Sequence, residues 1–217
     1  RKTLADDFLC TSRGPITGIH IFGSWLNDIA DPNTTFRLAI YGDVPVGPNS
    51  EYSHPDGVLW ERYFSPAEYK ARIYKEGVLE QFYEPNELGI IGRDTMVWQY
   101  NFLIDREPFF QEGTSDRPMV YWLGVEAFVP WEPNEAQEVF GWKTSLKHWN
   151  DDAVFGDPLD PQGHPDLWRE LRYPIGHPFE GQSIDLAFVI VPEPSTWVLA
   201  TFAMLGGAFL VRRYRRR

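Results

Sequence analysis

An all-β fold, an antiparallel β-sandwich of jelly-roll type, is predicted by three observations. Short stretches alternate apolar and polar residues at period two. Clusters of Gly, Pro, Asn and Asp separate them, and no stretch sustains the 3.6-residue period of an amphipathic helix. A parallel α/β sheet would need crossover helices, for which the pattern leaves no room. A short hydrophobic helix is expected only at the C terminus, so the chain divides into a sandwich over residues 1–190 and a tail over residues 191–217.

Residues 4–10, LADDFLC, are apolar on both sides of Asp6 and Asp7 and form a first strand, ended by the turn signal Arg13-Gly14-Pro15. Residues 16–25 place Ile19, Ile21, Gly23 and Trp25 on one face, which marks a strand with one buried side. Asn27, Asp28, Asp31, Pro32 and Asn33 then make a loop, because short polar side chains bond their own backbone. Residues 34–41 alternate again, with Phe36, Leu38 and Ile40 inward. Residues 42–57, punctuated by Pro45, Pro48 and Pro55, read as a long surface connection before a strand over 58–64.

Ser65-Pro66-Ala67-Glu68 fits a capping box with Pro at the first helical position, and residues 69–74 alternate like a strand. One helical turn leading into a strand is expected there. Residues 80–94, broken by Pro85, Gly89 and Gly92, read as a loop. A strong strand follows, with Met96, Trp98, Tyr100, Phe102 and Ile104 on one face. Residues 118–128 are rich in aromatic and β-branched side chains and form a second long strand. Short strands are expected at 140–144 and 184–191, with a weakly regular stretch at 145–181.

The body is strongly acidic. Of the 20 Lys and Arg, five lie in the tail, leaving 15 against 31 acids over residues 1–211, a net charge of −16. Such a surface repels phosphate backbones, so nucleic acid is excluded as a natural partner. Cys10 is the single cysteine, which excludes an internal disulfide and a cysteine-based zinc cluster. It is expected to be a small buried hydrophobe beside Phe8.

The tail, VPEPSTWVLATFAMLGGAFLVRRYRRR, has three physically distinct parts. Pro192 and Pro194 fix φ and remove amide donors around Glu193, so helix cannot run upstream through them. Residues 197–211 carry no charge, and as a helix they span about 22 Å, short of the roughly 30 Å of a bilayer core. Arg212, Arg213, Arg215, Arg216 and Arg217 follow, and at roughly 2.5–3.5 kcal/mol per guanidinium the cluster stays on the cytoplasmic side.

Pro192-Glu193-Pro194, a short apolar helix and an arginine cluster, in that order, resemble the PEP-CTERM sorting signal of bacteria that make extracellular polysaccharide. The resemblance covers all of residues 191–217. It implies handling by an exosortase-type membrane transpeptidase that cuts near Pro-Glu-Pro and releases or re-anchors the body. The blocks LADDF, GPITGIHIFGSW, WQYNFLID, FGWKTS, HWNDDAVF and IDLAFVI resemble a domain that recurs in exported bacterial proteins with this tail. That second likeness supports the architecture and supplies no activity. Export also requires a leader; the sequence opens at Arg1 without one, and the expectation is that it was removed or not included.

Catalytic signatures are sparse. There is no HExxH, G-x-S-x-G, P-loop or G-x-G-x-x-G, and three of the five histidines, His54, His164 and His177, precede proline in loop-like sequence. Asp6, Asp7, Asp28, Asp151 and Asp152, with Asn27, Asp31 and Asn150 nearby in sequence, are candidates for one structural calcium, since a hard cation takes six to eight oxygens and would relieve repulsion between adjacent carboxylates. The competing reading is that they are solvated turn and capping residues. Trp131, Trp149 and Trp168 lie in loop-like sequence and could stack sugar rings, whereas Trp25, Trp98 and Trp122 fall within strands and belong to packing.

The sequence therefore describes an exported cell-surface or matrix protein, non-catalytic and without an assigned cofactor beyond that calcium. Its expected partners are the membrane transpeptidase, the membrane itself through residues 197–211 before processing, and extracellular polysaccharide. A carbohydrate-binding module is the alternative reading. A glycan-active hydrolase is a further one, which requires two carboxylates facing each other across a cleft.

Overall fold

The structure is a computed structural model that describes residues 2–48, 50–85, 89–130, 138–157 and 167–193. The strands in chain order are β1 (Thr3–Cys10), β2 (Gly14–Trp25), β3 (Thr35–Val44), β4 (His54–Phe64), β5 (Tyr69–Glu84), β6 (Gly89–Leu103), β7 (Phe110–Gln111), β8 (Met119–Phe128), β9 (Phe140–Trp142), β10 (Thr144–Ser145), β11 (Val154–Gly156), β12 (Arg169–Glu170), β13 (Asp185–Leu186) and β14 (Phe188–Pro192). A 3-10 turn, Leu26–Asp28, follows β2.

Two antiparallel sheets face each other, as the alternation predicts. One has the order β12-β11-β1-β8-β3-β4 and the other β14-β2-β6-β5, with β7 and β9 also paired to β2 and a small β10-β13 pair alongside. Inward residues read from the sequence form the core: Ile19, Ile21, Phe36, Leu38, Ile40, Tyr100 and Phe102 are all buried, and Phe64 and Leu123 join them. Phe36 is its centre, with the rings of Tyr69, Tyr100, Phe102 and Phe140 at 5.0–5.6 Å in tilted or edge-on contact. Cys10 is buried in the same cluster as Phe8.

A second apolar layer covers the outer side of the first sheet. Ala5, Gly124 and Ala39 are register partners across β1, β8 and β3, and this row of small residues leaves a shallow trough. The Tyr41 ring lies over Gly124 so closely that a Cβ there would strike it. Trp122 and Trp168 complete the layer.

Three local expectations are corrected. Most of the expected 80–94 loop is strand: β5 continues to Glu84 and β6 begins at Gly89, with Glu80 opposite Asp94 and Phe82 opposite Gly92. Gly92 reads as a breaker in sequence, but a Cβ there would meet Leu26, so the glycine serves a close approach. Gly77, at φ 72°, sits in the bulge between the two halves of β5. The 42–57 connection is likewise shorter than expected, because Asp43 and Val44 pair with Pro55 and His54.

Residues 65–68 carry one half of a capping box: Glu68 accepts the Ser65 amide at 3.0 Å and hydroxyl at 2.7 Å, while the Glu68 amide donates to the Ser65 backbone carbonyl at 2.8 Å. They close a turn rather than start a helix. It is the corner through which β4 of the first sheet becomes β5 of the second. The C-terminal hydrophobic helix expected over 197–211 lies outside the described residues; among those described, no helix is long and apolar enough to cross a membrane.

Candidate functional sites

The first site is the junction between sandwich and tail. β14 is an edge strand paired to β2, running from Phe188 opposite Ile21 to Pro192 opposite Ile16, with a register slip after Val191. The slip and the edge position accommodate Pro192, which has no amide to donate. Thr17 Oγ1 donates to the Val191 carbonyl at 3.3 Å, and the Glu193 amide donates to the Pro15 carbonyl at 2.9 Å. The ladder therefore holds the first two residues of Pro192-Glu193-Pro194, both exposed to solvent. Pro194 and Arg212, Arg213, Arg215, Arg216 and Arg217 lie outside the described residues.

The second site is a node of acids. Asp6 points from β1 toward β13, accepting the Leu186 amide at 2.6 Å and the Asp7 amide at 2.9 Å. Asp7, on the opposite side of β1, accepts the Asn150 side-chain amide at 2.5 Å. Asp185 accepts the Trp149 amide at 2.7 Å, and its other oxygen lies 2.9 Å from His148 Nδ1. Burial, with Asp185 and Asp7 close by, pushes the Asp6 carboxyl up to about 8, against the pull of the Leu186 amide. Burial likewise raises Asp7 to about 7, with Asp151, Asp185 and Asp43 adding to it. Burial thus favours the protonated form of both acids, more strongly for Asp6 than for Asp7.

The five aspartates proposed for calcium do not converge. Asp7 and Asp151 come together, bridged by the Asn150 amide, which bonds the latter at 2.9 Å, while Asp6 faces the other side of β1 toward Leu186. Asp152 is instead paired with Arg172 at 2.9 Å. Asp28 is elsewhere, clasping the Thr95 amide and hydroxyl and the Met96 amide at 2.6–3.1 Å, where it pins the 3-10 turn to β6. Of the two further loop candidates, Asp31 caps the next turn by accepting the Asn33 amide at 2.7 Å, and Asn27 lies at positive φ within the 3-10 segment. Among the described residues, no group of three or more His, Cys, Asp and Glu is arranged to hold a metal.

The tryptophans separate as well. Trp168 is only 6% exposed, packs edge-on against Tyr41 at 5.6 Å, and its carbonyl accepts the Tyr52 hydroxyl. It presents no face to a sugar ring. Trp149 is partly exposed, and Trp131 lies outside the described residues. Sequence reading missed Asp185 and His148 as members of the acid node, and Pro15 as the anchor of Glu193. An acid between two apolar residues at the head of a closing strand, Ile184-Asp185-Leu186, was the signal for the first.

These features define an exported protein carrying a C-terminal sorting signal: residues 191–217 match the PEP-CTERM protein-sorting motif, which implies export, transit through the membrane by the tail, and processing by an exosortase-type membrane enzyme. Residues 1–191 match a domain of unknown function, DUF7901, and the chain belongs to that family. No curated protein and no solved structure matches it.

Proposed function

We propose that the sandwich is a non-catalytic body that acts by structure and contact, displayed at the cell envelope or in extracellular polysaccharide once the tail has been processed. One observation carries this reading. The acids that chemistry would call on are bonded to backbone amides of neighbouring segments: Asp6 to Leu186, Asp185 to Trp149, Asp28 to Thr95 and Met96. A carboxylate fixed in this way ties strands together. Among the described residues, the glycan-binding alternative is left with Trp149 from its original trio, since Trp168 is turned into the packing.

The test is intact-mass analysis and fractionation of the protein from its native host. A mature form ending beside Glu193 and recovered with the envelope or matrix supports the proposal. Recovery from the cytosol with every terminal arginine in place overturns it. Turnover of a polysaccharide by the purified chain would overturn the non-catalytic assignment alone.

A further inference from the structure

The ladder ends at Glu193, whose amide is bonded to Pro15, and the apolar run begins at Trp197. Only Pro194, Ser195 and Thr196 intervene. Fully extended, the four steps from Glu193 to Trp197 reach about 14 Å. A bilayer's polar layer is roughly 5–8 Å deep on each side. While the tail is embedded, the end of the sandwich carrying Pro15 and Glu193 is therefore held at the headgroup surface, with no linker long enough to let it drift away.

Large apolar side chains are exposed at this end, between charged links. On the outer face of the second sheet, Val191 and Leu103 flank Gly18 from the two neighbouring strands, and Phe110 lies opposite Pro15. Leu103 is 67% and Phe110 58% exposed. At the same end of the first sheet, Leu9 and Met119 are exposed too. Between the sheets a cleft of about 270 Å³ is lined by Phe8, Leu9, Cys10, Phe188, Ile190 and Pro192 among others. Large apolar side chains gathered in water around a chain exit mark an interaction surface.

We infer that this end of the sandwich is a membrane-docking face: Leu103, Phe110, Leu9 and Met119 seat in the outer headgroup layer of the bilayer that holds the tail, presenting Pro192-Glu193-Pro194 at a fixed height to the membrane enzyme. The inference rests on the sorted-tail reading. The flanking links carry charges of both signs, among them Arg13, Arg106, Arg117, Asp105, Glu107 and Glu112, so attraction to anionic lipid contributes little. The apolar contact is weak on its own and is made effective by the tether, which keeps the face at high local concentration beside the lipid.

The test uses the full chain in vesicles of neutral phosphatidylcholine. An environment-sensitive fluorophore is placed by Leu103→Cys or Phe110→Cys in a Cys10→Ala background, with Leu79→Cys on the far hairpin as the water-exposed reference. All three labelled positions are exposed, so the fold tolerates the labels. Spin-labelled lipid is expected to quench the labels at 103 and 110 severalfold more than the label at 79. A chain that floats with the vesicles but shows equal quenching at all three positions overturns the docking face alone. A chain that does not float overturns the membrane tail and the docking face together.

Discussion

The carboxylate of Asp6 accepts the Leu186 amide at 2.6 Å, joining residues 180 positions apart and tying the first strand to the segment that leads into the last. Asp6 is 3% exposed, and the contact lies where β1, β13 and the 145–152 stretch meet.

That burial sets a pH dependence. Asp6 and Asp7 titrate in the folded protein at about 8 and about 7, but near 3.8 when unfolded. Between those values the folded state binds more protons, so stability is full below the unfolded value and falls as pH rises through 7 and 8. The melting temperature should drop between pH 5 and pH 9, corresponding to a loss on the order of a few kcal/mol. Asp6→Asn should flatten that slope. Thermal unfolding followed by circular dichroism across pH checks both, and an unchanged slope in the variant would count against the assignment.

Chelation should leave the melting temperature where it is, because the Asn150 amide bridges Asp7 and Asp151. A clear fall on adding EDTA, restored by calcium, would show that a cation and not the amide holds the node.

Phe36→Ala removes a fully buried ring that touches four others. A loss of about 3–5 kcal/mol is expected, read from the midpoint shift in urea.

Gly113→Ala should destabilise by about 1–3 kcal/mol in the same assay, since a Cβ there meets the backbone carbonyl of Cys10, which cannot swing aside as a flexible side chain would. The same substitution at Gly57, where a Cβ meets nothing, should cost far less.

Asp28→Ala removes acceptors from the Thr95 and Met96 amides. The site is open to water, so the expected loss is about 1 kcal/mol. Faster amide exchange at Thr95 and Met96 would locate the effect.

Strand faces were legible wherever alternation was clean, as in Phe36-Leu38-Ile40 and Trp98-Tyr100-Phe102, because a one-residue slip would turn the whole set to water. The 80–94 hairpin was not legible. Gly89 and Gly92 look like breakers until Leu26 is seen lying where a side chain at Gly92 would go. Trp168 looked like a loop residue because its partners, Tyr41 and Tyr52, are more than a hundred positions away. Asp6 and Asp7 read as calcium ligands or solvated turn residues, and only the crossing of β1 by distant segments buries them.

By itself the amino-acid order determined the sandwich class, the core-facing residues of the long strands, and the tail with its Pro-Glu-Pro, apolar and arginine parts, since each depends on periodicity or on neighbours along the chain. Tertiary structure alone decided that Glu193 is bonded to Pro15, that Asp6 is bonded to Leu186, and that Trp168 is buried. Those outcomes depend on which distant strands become neighbours, and it is burial by such neighbours that strips water from a carboxylate or an indole and changes what it can do.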